Sequence, residues 1–112
     1  MGSDRQIVFS TEWFSIEQES FNDLESLEGK PYFRLKLPDG VMVLALTESD
    51  KIVLVRQFRP SIGAHSLELP SGSIDDSESP EQAAARELYE ETGFGCESLI
   101  PLGTGRTIVS RT

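Results

Sequence analysis

The sequence predicts a single α/β or α+β sandwich domain, in which a mixed β-sheet packs against a helix. Short segments with alternating or continuous apolar residues predict the strands, and one segment with start and stop signals at its ends predicts the helix. The chain has 112 residues, of which 38% are hydrophobic and 26% charged, and this composition is typical of a small globular protein.

The best strand candidates lie in the first half of the chain and are separated by turn signals. Residues 32–37 alternate between apolar and polar, while residues 41–46 and 52–58 are largely apolar. The Pro-Asp-Gly sequence at 38–40 and the Glu-Ser-Asp sequence at 48–50 favour turns between these strands. Weaker strand candidates are residues 11–20, 66–69, 99–102 and 107–109.

A helix is predicted over residues 80–92. Ser79 is a favourable N-cap, Pro80 suits the first helical position, and Gln82 completes a capping box with Ser79. The Ala-Ala-Ala-Arg-Glu-Leu sequence that follows has high helix propensity. Gly93 is suited to the left-handed position that ends a helix.

Three glutamates, Glu87, Glu90 and Glu91, fall on one face of this helix. Their mutual repulsion is relieved by a cation, and oxygen-only ligands favour Mg²⁺, Mn²⁺ or Ca²⁺ over zinc. The alternative for the three glutamates alone is an ordinary solvated acidic face. Ala84 and Leu88, one turn apart, are expected to press the helix onto the sheet.

Charge and cysteine content narrow the class of protein. A net charge of −9 argues against a nucleic-acid partner, because binding to phosphate backbones depends on Lys and Arg. The single cysteine, Cys96, fits a reducing cytoplasm. The longest apolar run, residues 41–46, is too short to span a membrane, and the first residues lack a secretory signal pattern. The lone histidine, His65, is expected to be a loop residue without a catalytic role.

The surroundings of the glutamates resemble the Nudix box. Gly72 is followed six residues later by Glu78, and Glu78 eight residues later by Arg86. The sequence then runs Glu-Leu-Tyr-Glu-Glu-Thr-Gly-Phe up to Phe94, so that every motif position is matched. A chance match of the fixed identities at one start point is on the order of 10⁻⁹. The resemblance implies a Nudix-like sandwich fold and metal-dependent hydrolysis of a nucleoside diphosphate linked to a second group.

Roles for individual residues follow from this resemblance. It implies that Glu87 and Glu91 are the principal Mg²⁺ or Mn²⁺ ligands, that the Ser71 carbonyl joins them, and that Glu90 binds a further metal or positions water. The predicted catalytic residues are Glu90, Glu91, Glu87 and Arg86. The residues with structural roles in the motif are Gly72, Glu78, Leu88, Gly93 and Phe94. The planar guanidinium of Arg86 is expected to pair with Glu78 and one helix glutamate, and Gly72 to permit a close backbone approach.

Residues 41–94 resemble ADP-ribose and ADP-sugar pyrophosphatases, notably in Leu-Val-Arg-Gln-Phe-Arg-Pro (54–60) and Leu-Glu-Leu-Pro-Ser-Gly (67–72). This similarity implies substrate contacts from Arg59, Arg56 and Glu68. A surface ion pair is the alternative for Arg59, and alternation along the strand places Arg56 on the opposite side. Dimeric members of the subfamily use the amino-terminal extension at the subunit interface, where aromatic residues stack on adenine.

Trp13 and Tyr32 are the aromatic candidates in that extension, and ordinary core or interface packing is the alternative for both. Residues 1–38 are therefore predicted to form an amino-terminal β extension that contributes to a homodimer, and residues 39–112 a Nudix core. The family fold continues through further strands, a second helix and a loop with a catalytic glutamate. The carboxyl-terminal part is therefore expected to be incomplete.

The predicted function is Mg²⁺-dependent hydrolysis of ADP-ribose or a related ADP-sugar to AMP and a sugar phosphate. Two alternatives remain at this point. One is a Nudix hydrolase for another substrate, such as a different NDP-sugar, NADH or an oxidised nucleotide. The other is a metal- or nucleotide-binding domain with weak catalysis. The expected partner is a nucleotide-sugar, with no nucleic acid and no membrane.

Overall fold

A computed structural model describes residues 3–21 and 29–106 of the chain. The chain divides into two compact units, Met1–Asp39 and Gly40–Thr112. The first is all β, and the second contains the single helix found among the described residues. No described helix has the length and hydropathy that a bilayer crossing requires. The roles predicted for residues 1–38, a dimerisation extension, and for residues 39–112, the Nudix core, remain predictions.

The first unit is a three-stranded antiparallel sheet in the order β1-β2-β3. Its strands are β1 (Ser3–Ser10), β2 (Ser15–Phe21) and β3 (Pro31–Lys36). The Thr11 hydroxyl accepts hydrogen bonds from the Trp13 and Phe14 amides and tightens the turn between β1 and β2. The strands predicted at 11–20 and 32–37 overlap β2 and β3 with shifted ends, whereas β1 was missed, because its apolar residues are consecutive and not alternating.

An ion-pair cluster crosses this sheet because residues directly opposite one another on paired strands share a face. Glu19 is paired in register with Arg5, and Glu17 with Arg34. Glu19 is 3% exposed and accepts hydrogen bonds from Arg5 Nη2 at 3.2 Å and Arg34 Nη1 at 2.7 Å. The hydrogen bond to Glu19 raises the pKa of Arg34, and the two arginines bonded to Glu19 link all three strands of the sheet.

The second unit contains two pairs of antiparallel strands. Strand β4 (Gly40–Met42) pairs with β7 (Ser71–Ser73), and β5 (Val55–Arg59) forms a hairpin with β6 (Ala64–Glu68). An isolated bridge joins Leu46 to Ile52 around the predicted turn at 48–50. All pairings among the described residues are antiparallel, so the parallel pairs that would make the sheet mixed are not among them.

Several strand predictions need correction. Residues 41–46 do not form one regular strand: β4 ends at Met42, and Val43 N–H donates instead to the Pro70 carbonyl at 2.8 Å. The strand predicted at 52–58 is shorter and becomes Val55–Arg59. No strand forms at 99–102, where Ile100 and Leu102 are each 80% exposed and pack against none of the described strands. The prediction at 107–109 lies outside the described residues.

The helix α1 (Pro80–Thr92) has the bounds that the sequence predicted. The Ser79 hydroxyl accepts from the Gln82 amide, and the Gln82 side chain accepts from the Ser79 amide, so the capping box is complete. Gly93 ends the helix with φ of 78°, and its N–H donates to the Tyr89 carbonyl. At this position a side chain would strain the backbone, which is why glycine is favoured.

The core of the second unit is small. Leu88 packs as predicted and is 2% exposed, but its fully buried neighbour on the helix is Ala83, while Ala84 is only half-buried. Val43 and Pro70 are also buried. These residues press α1 onto β4 and β7 and thereby fix the helix face that carries the glutamates. His65 was wrongly predicted in a loop; it lies in β6, edge-on to Phe58 at 5.4 Å between ring centroids.

Candidate active site

Arg86 ties the helix to the loop before it. Arg86 Nε donates to Glu78 Oε2 at 2.8 Å and Nη2 donates to Glu78 Oε1 at 3.0 Å, which makes the pair bidentate. Nη2 also donates to the Ser73 carbonyl at 2.9 Å. The predicted pairing with Glu78 is thus present, and the bond to Ser73 adds an anchor on β7. No sequence signal could have revealed that anchor, since any residue supplies a carbonyl.

The remaining amino group of Arg86 faces the helix glutamates. Arg86 Nη1 donates to Glu87 Oε1 at 2.9 Å and to Glu90 Oε2 at 3.1 Å. One cation therefore offsets the repulsion between two neighbouring carboxylates. The hydrogen bond to Glu78, and after it the hydrogen bond to Glu87, raises the pKa of Arg86 above its ordinary value, so the residue stays charged.

Glu78 is held in its ionised form. The side-chain hydrogen bond from Arg86 is the main cause that lowers the pKa of Glu78 from 4.5 to about 2. The Asp75 amide adds to this effect, because it donates to Glu78 Oε1 at 3.0 Å. The Asp75 carboxylate also lies 3.6 Å from Arg86 Nη2. Asp75 was not among the predicted site residues, although Asp is typical of turns.

Gly72 and Glu87 lie against each other. A Cβ built on Gly72 would overlap the Glu87 carboxylate group, so no other residue fits here unless that carboxylate moves. The Glu87 side chain is only 14% exposed. The close approach expected at Gly72 is therefore present, and its neighbour is the predicted metal ligand itself.

The Glu91 side chain contacts the residue of β7 that directly precedes Gly72. The Ser71 amide donates to Glu91 Oε2 at 3.3 Å, so the two predicted principal ligands contact consecutive residues of β7. Glu91 also borders a cleft of about 410 Å³ between α1 and the segment that includes β5. The residues lining this cleft are Val53, Leu54, Val55, Arg56, Gln57, Glu91, Thr92 and Phe94.

These residues suit a hard divalent cation. Glu87 and Glu91 bring two carboxylates to the Ser71–Gly72 backbone, and Mg²⁺ characteristically uses one or two protein carboxylates with water and phosphate completing the shell. Within residues 3–21 and 29–106, no three His, Cys, Asp or Glu side chains converge closely enough to hold a metal by themselves. Glu90 is 56% exposed and turned toward Arg86.

Arg59 is on the β5–β6 hairpin of the same unit. Its Nε and Nη2 donate to the two carboxylate oxygens of Glu68 at 2.8 and 2.5 Å. This pairing raises the pKa of Arg59 and lowers that of Glu68, and Glu91 contributes a further favourable charge interaction with Arg59. Arg56 alternates to the exposed face of β5, opposite to Arg59, so the structure does not bring the two arginines together.

Trp13 and Tyr32 belong to the first unit and are separated along its sheet. Trp13 is in the β1–β2 turn and is 69% exposed. Tyr32 is paired with Glu19 of β2, whereas the β1–β2 turn ends at Ser15. Four residues of extended strand separate Ser15 from Glu19, which is about 13 Å. Tyr32 also packs edge-on against Phe21. One purine therefore cannot stack on both residues of one chain.

Comparison with known proteins identifies the family. The NUDIX domain family profile matches residues 36–110, and the chain belongs to this family of pyrophosphohydrolases. A solved structure described as an ADP compounds hydrolase superposes on 85% of the chain with a TM-score of 0.71 and 28% identity, and the chain covers 51% of it. The predicted fold class and family resemblance are confirmed.

Curated relatives narrow the subfamily. The chain is 42% identical over 82 residues to an ADP-ribose pyrophosphatase of Bacillus subtilis (strain 168), covering 71% of this chain and 44% of the relative. It is 48% identical over 103 residues to an ADP-sugar pyrophosphatase of Mus musculus, covering 82% of this chain and 47% of the relative. The chain thus spans about half the length of these relatives.

Proposed function

We propose that this chain is the catalytic part of an enzyme that hydrolyses the pyrophosphate bond of ADP-ribose or a related ADP-sugar, giving AMP and a sugar phosphate. The observation that carries the proposal is that the α1 carboxylates of Glu87 and Glu91 lie against consecutive residues of β7, while Arg86 hydrogen-bonds Glu87 on the helix and Glu78 in the preceding loop. The ADP-sugar part rests on the two named relatives, which act on such compounds according to their names.

Glu87, Glu91 and the Ser71 carbonyl would hold Mg²⁺, with Mn²⁺ as the alternative and Glu90 binding a further ion or positioning water. Bound there, the cation supplies charge neutralisation for the diphosphate and activation of water. Arg86 restrains Glu87 and Glu90 before substrate arrives, which limits the reorganisation needed during catalysis.

Arg59 provides a positive charge in the same unit for the substrate's phosphates. With a net charge of −9, the chain needs local cations to attract an anionic substrate. Nη1 of Arg59 makes no hydrogen bond within the described part of the chain and is available to a phosphate oxygen. We further propose that the protein is a cytoplasmic homodimer. In this dimer, Trp13 or Tyr32 would stack on the adenine of the substrate.

A substrate panel tests the proposed function. The protein is incubated with ADP-ribose, UDP-glucose, NADH and 8-oxo-dGTP, each with and without Mg²⁺, and nucleoside monophosphates are measured by chromatography. We expect Mg²⁺-dependent AMP release that is fastest with ADP-ribose. A faster reaction with another compound would reassign the substrate. Binding of ADP-ribose without any product, even at high protein concentration, would instead show a nucleotide-binding domain.

A further inference from the structure

The Arg59–Glu68 pair is a long-reaching contact along the β5–β6 hairpin. Arg59 lies opposite Ala64 at the turn end of the hairpin, while Glu68 lies opposite Val55 at the other end. Their backbones are four residues apart in register, about 13 Å along the strands. Both side chains must therefore extend toward each other, past the Gln57–Ser66 pair that lies between them on the same face.

This geometry draws the Arg59 guanidinium away from the hairpin turn. Nε and Nη2 are bonded to Glu68, and the Ser66 hydroxyl beside Glu68 adds to the lowering of the pKa of that carboxyl. The charge of Glu91 acts on the guanidinium, which lies at the same end of the hairpin as the cleft beside Glu91. An arginine without such a partner samples many rotamers, whereas a bidentate pair fixes the guanidinium plane.

We propose that Glu68 is a positioning residue that does not touch the substrate but holds Arg59 with its free amino edge available to the substrate diphosphate. The proposal rests on the proposed function and replaces the direct substrate contact predicted for Glu68. After Nε and one Nη2 hydrogen are used, both Nη1 hydrogens and the second Nη2 hydrogen remain, and they match two oxygens of a diphosphate.

Whether Glu68→Gln strengthens or weakens anion binding distinguishes a positioning role of Glu68 from a purely electrostatic one. Glu68→Gln removes a negative charge next to an anion site, so electrostatics alone predicts tighter anion binding. Positioning predicts weaker binding, because the Gln carbonyl oxygen accepts only one of the two guanidinium hydrogen bonds, the Gln NH2 group cannot accept the other, and the fork is broken. Gln has nearly the same shape as Glu, so the hairpin is expected to fold as before.

The experiment measures Mg²⁺-dependent binding of methylenediphosphonate, a diphosphate that is not hydrolysed, by calorimetry. We expect Glu68→Gln to weaken binding about tenfold, as for loss of a charged hydrogen bond. The matched control, Glu97→Gln, removes the same charge from an exposed residue and should leave binding unchanged or slightly tighter. In an Arg59→Ala background, Glu68→Gln should have no further effect, because it acts only through Arg59.

Each outcome has a separate meaning. Unchanged or tighter binding by Glu68→Gln, or a further loss in the Arg59→Ala background, would overturn the positioning role while leaving the hydrolase proposal intact. Failure of the wild-type chain to bind the diphosphate would also overturn it. Diphosphate binding with the expected non-additive pattern, but no AMP release from ADP-ribose, would support the positioning role and reject the proposed function.

Discussion

At the residue scale, the site depends on a backbone that comes unusually close to a carboxylate. Gly72 leaves no space for a Cβ next to Glu87, while the adjacent Ser71 amide holds Glu91. Because both carboxylates are fixed against the same short strand, small changes in that backbone should alter metal binding before they alter folding.

Gly72→Ala is expected to displace Glu87 and weaken Mn²⁺ binding by at least about tenfold, as is usual when groups that orient a ligand are changed. The matched control is Gly95→Ala, since a Cβ at Gly95 would meet nothing within 4 Å. Calorimetric titration of the two variants with Mn²⁺ checks this. Equal affinities would show that the Gly72–Glu87 contact has no role in metal binding.

The Arg86–Glu78 pair should make stability depend on pH in the acid range. The folded-state pKa of Glu78, about 2, lies below the ordinary value of 4.5, so its contribution is fully present above pH 4.5 and is lost as the pH falls toward 2. Urea unfolding of wild type and Glu78→Gln should therefore differ most near neutral pH, and the difference should narrow below pH 4.5 and vanish only near pH 2. A difference that does not change between pH 7 and pH 3 would contradict this assignment.

At the scale of the element, the helix is the part of the fold that local sequence determines most completely. The capping box of Ser79 and Gln82 and the left-handed Gly93 are local signals, and they set both ends of α1. The Arg86–Glu78 pairing was also predictable, because the guanidinium needs carboxylates and the motif provides them nearby.

The failures concern contacts that depend on distant residues. The apolar run at 41–46 ends its regular pairing at Met42, where Pro70 in place of a strand residue accepts the next amide hydrogen bond. Likewise, the Arg59–Glu68 pair depends on the hairpin register, which the sequence alone did not specify. Propensity identifies candidate strands, but the partner decides their length.

Removing the N-cap should lower stability without changing the site. Ser79→Ala is expected to cost about 1 kcal/mol in the free energy of unfolding, because the Gln82 amide loses its acceptor. Ser98→Ala, at an exposed position outside the helix, is the control and should change stability little. Denaturant titrations followed by circular dichroism measure both variants. Equal stabilities would mean that the cap does not stabilise α1.

At the scale of the whole molecule, the chain combines an all-β unit with a Nudix unit and spans about half the length of its relatives. The proposal of a homodimer predicts a mass in solution twice that of the chain, measured by analytical ultracentrifugation. A monomer at micromolar concentration would contradict the dimer and any role for Trp13 across a subunit interface.

The proposed function requires that the glutamate face of α1 binds the catalytic cation. It is tested most directly by Mg²⁺-dependent AMP release from ADP-ribose, compared among wild type, Glu91→Gln and the control Glu81→Gln, which removes the same charge from the first turn of the helix. We predict that the rate of Glu91→Gln is at least about tenfold below that of the wild type, while Glu81→Gln keeps the wild-type rate. Equal rates for wild type and Glu91→Gln would contradict the claim.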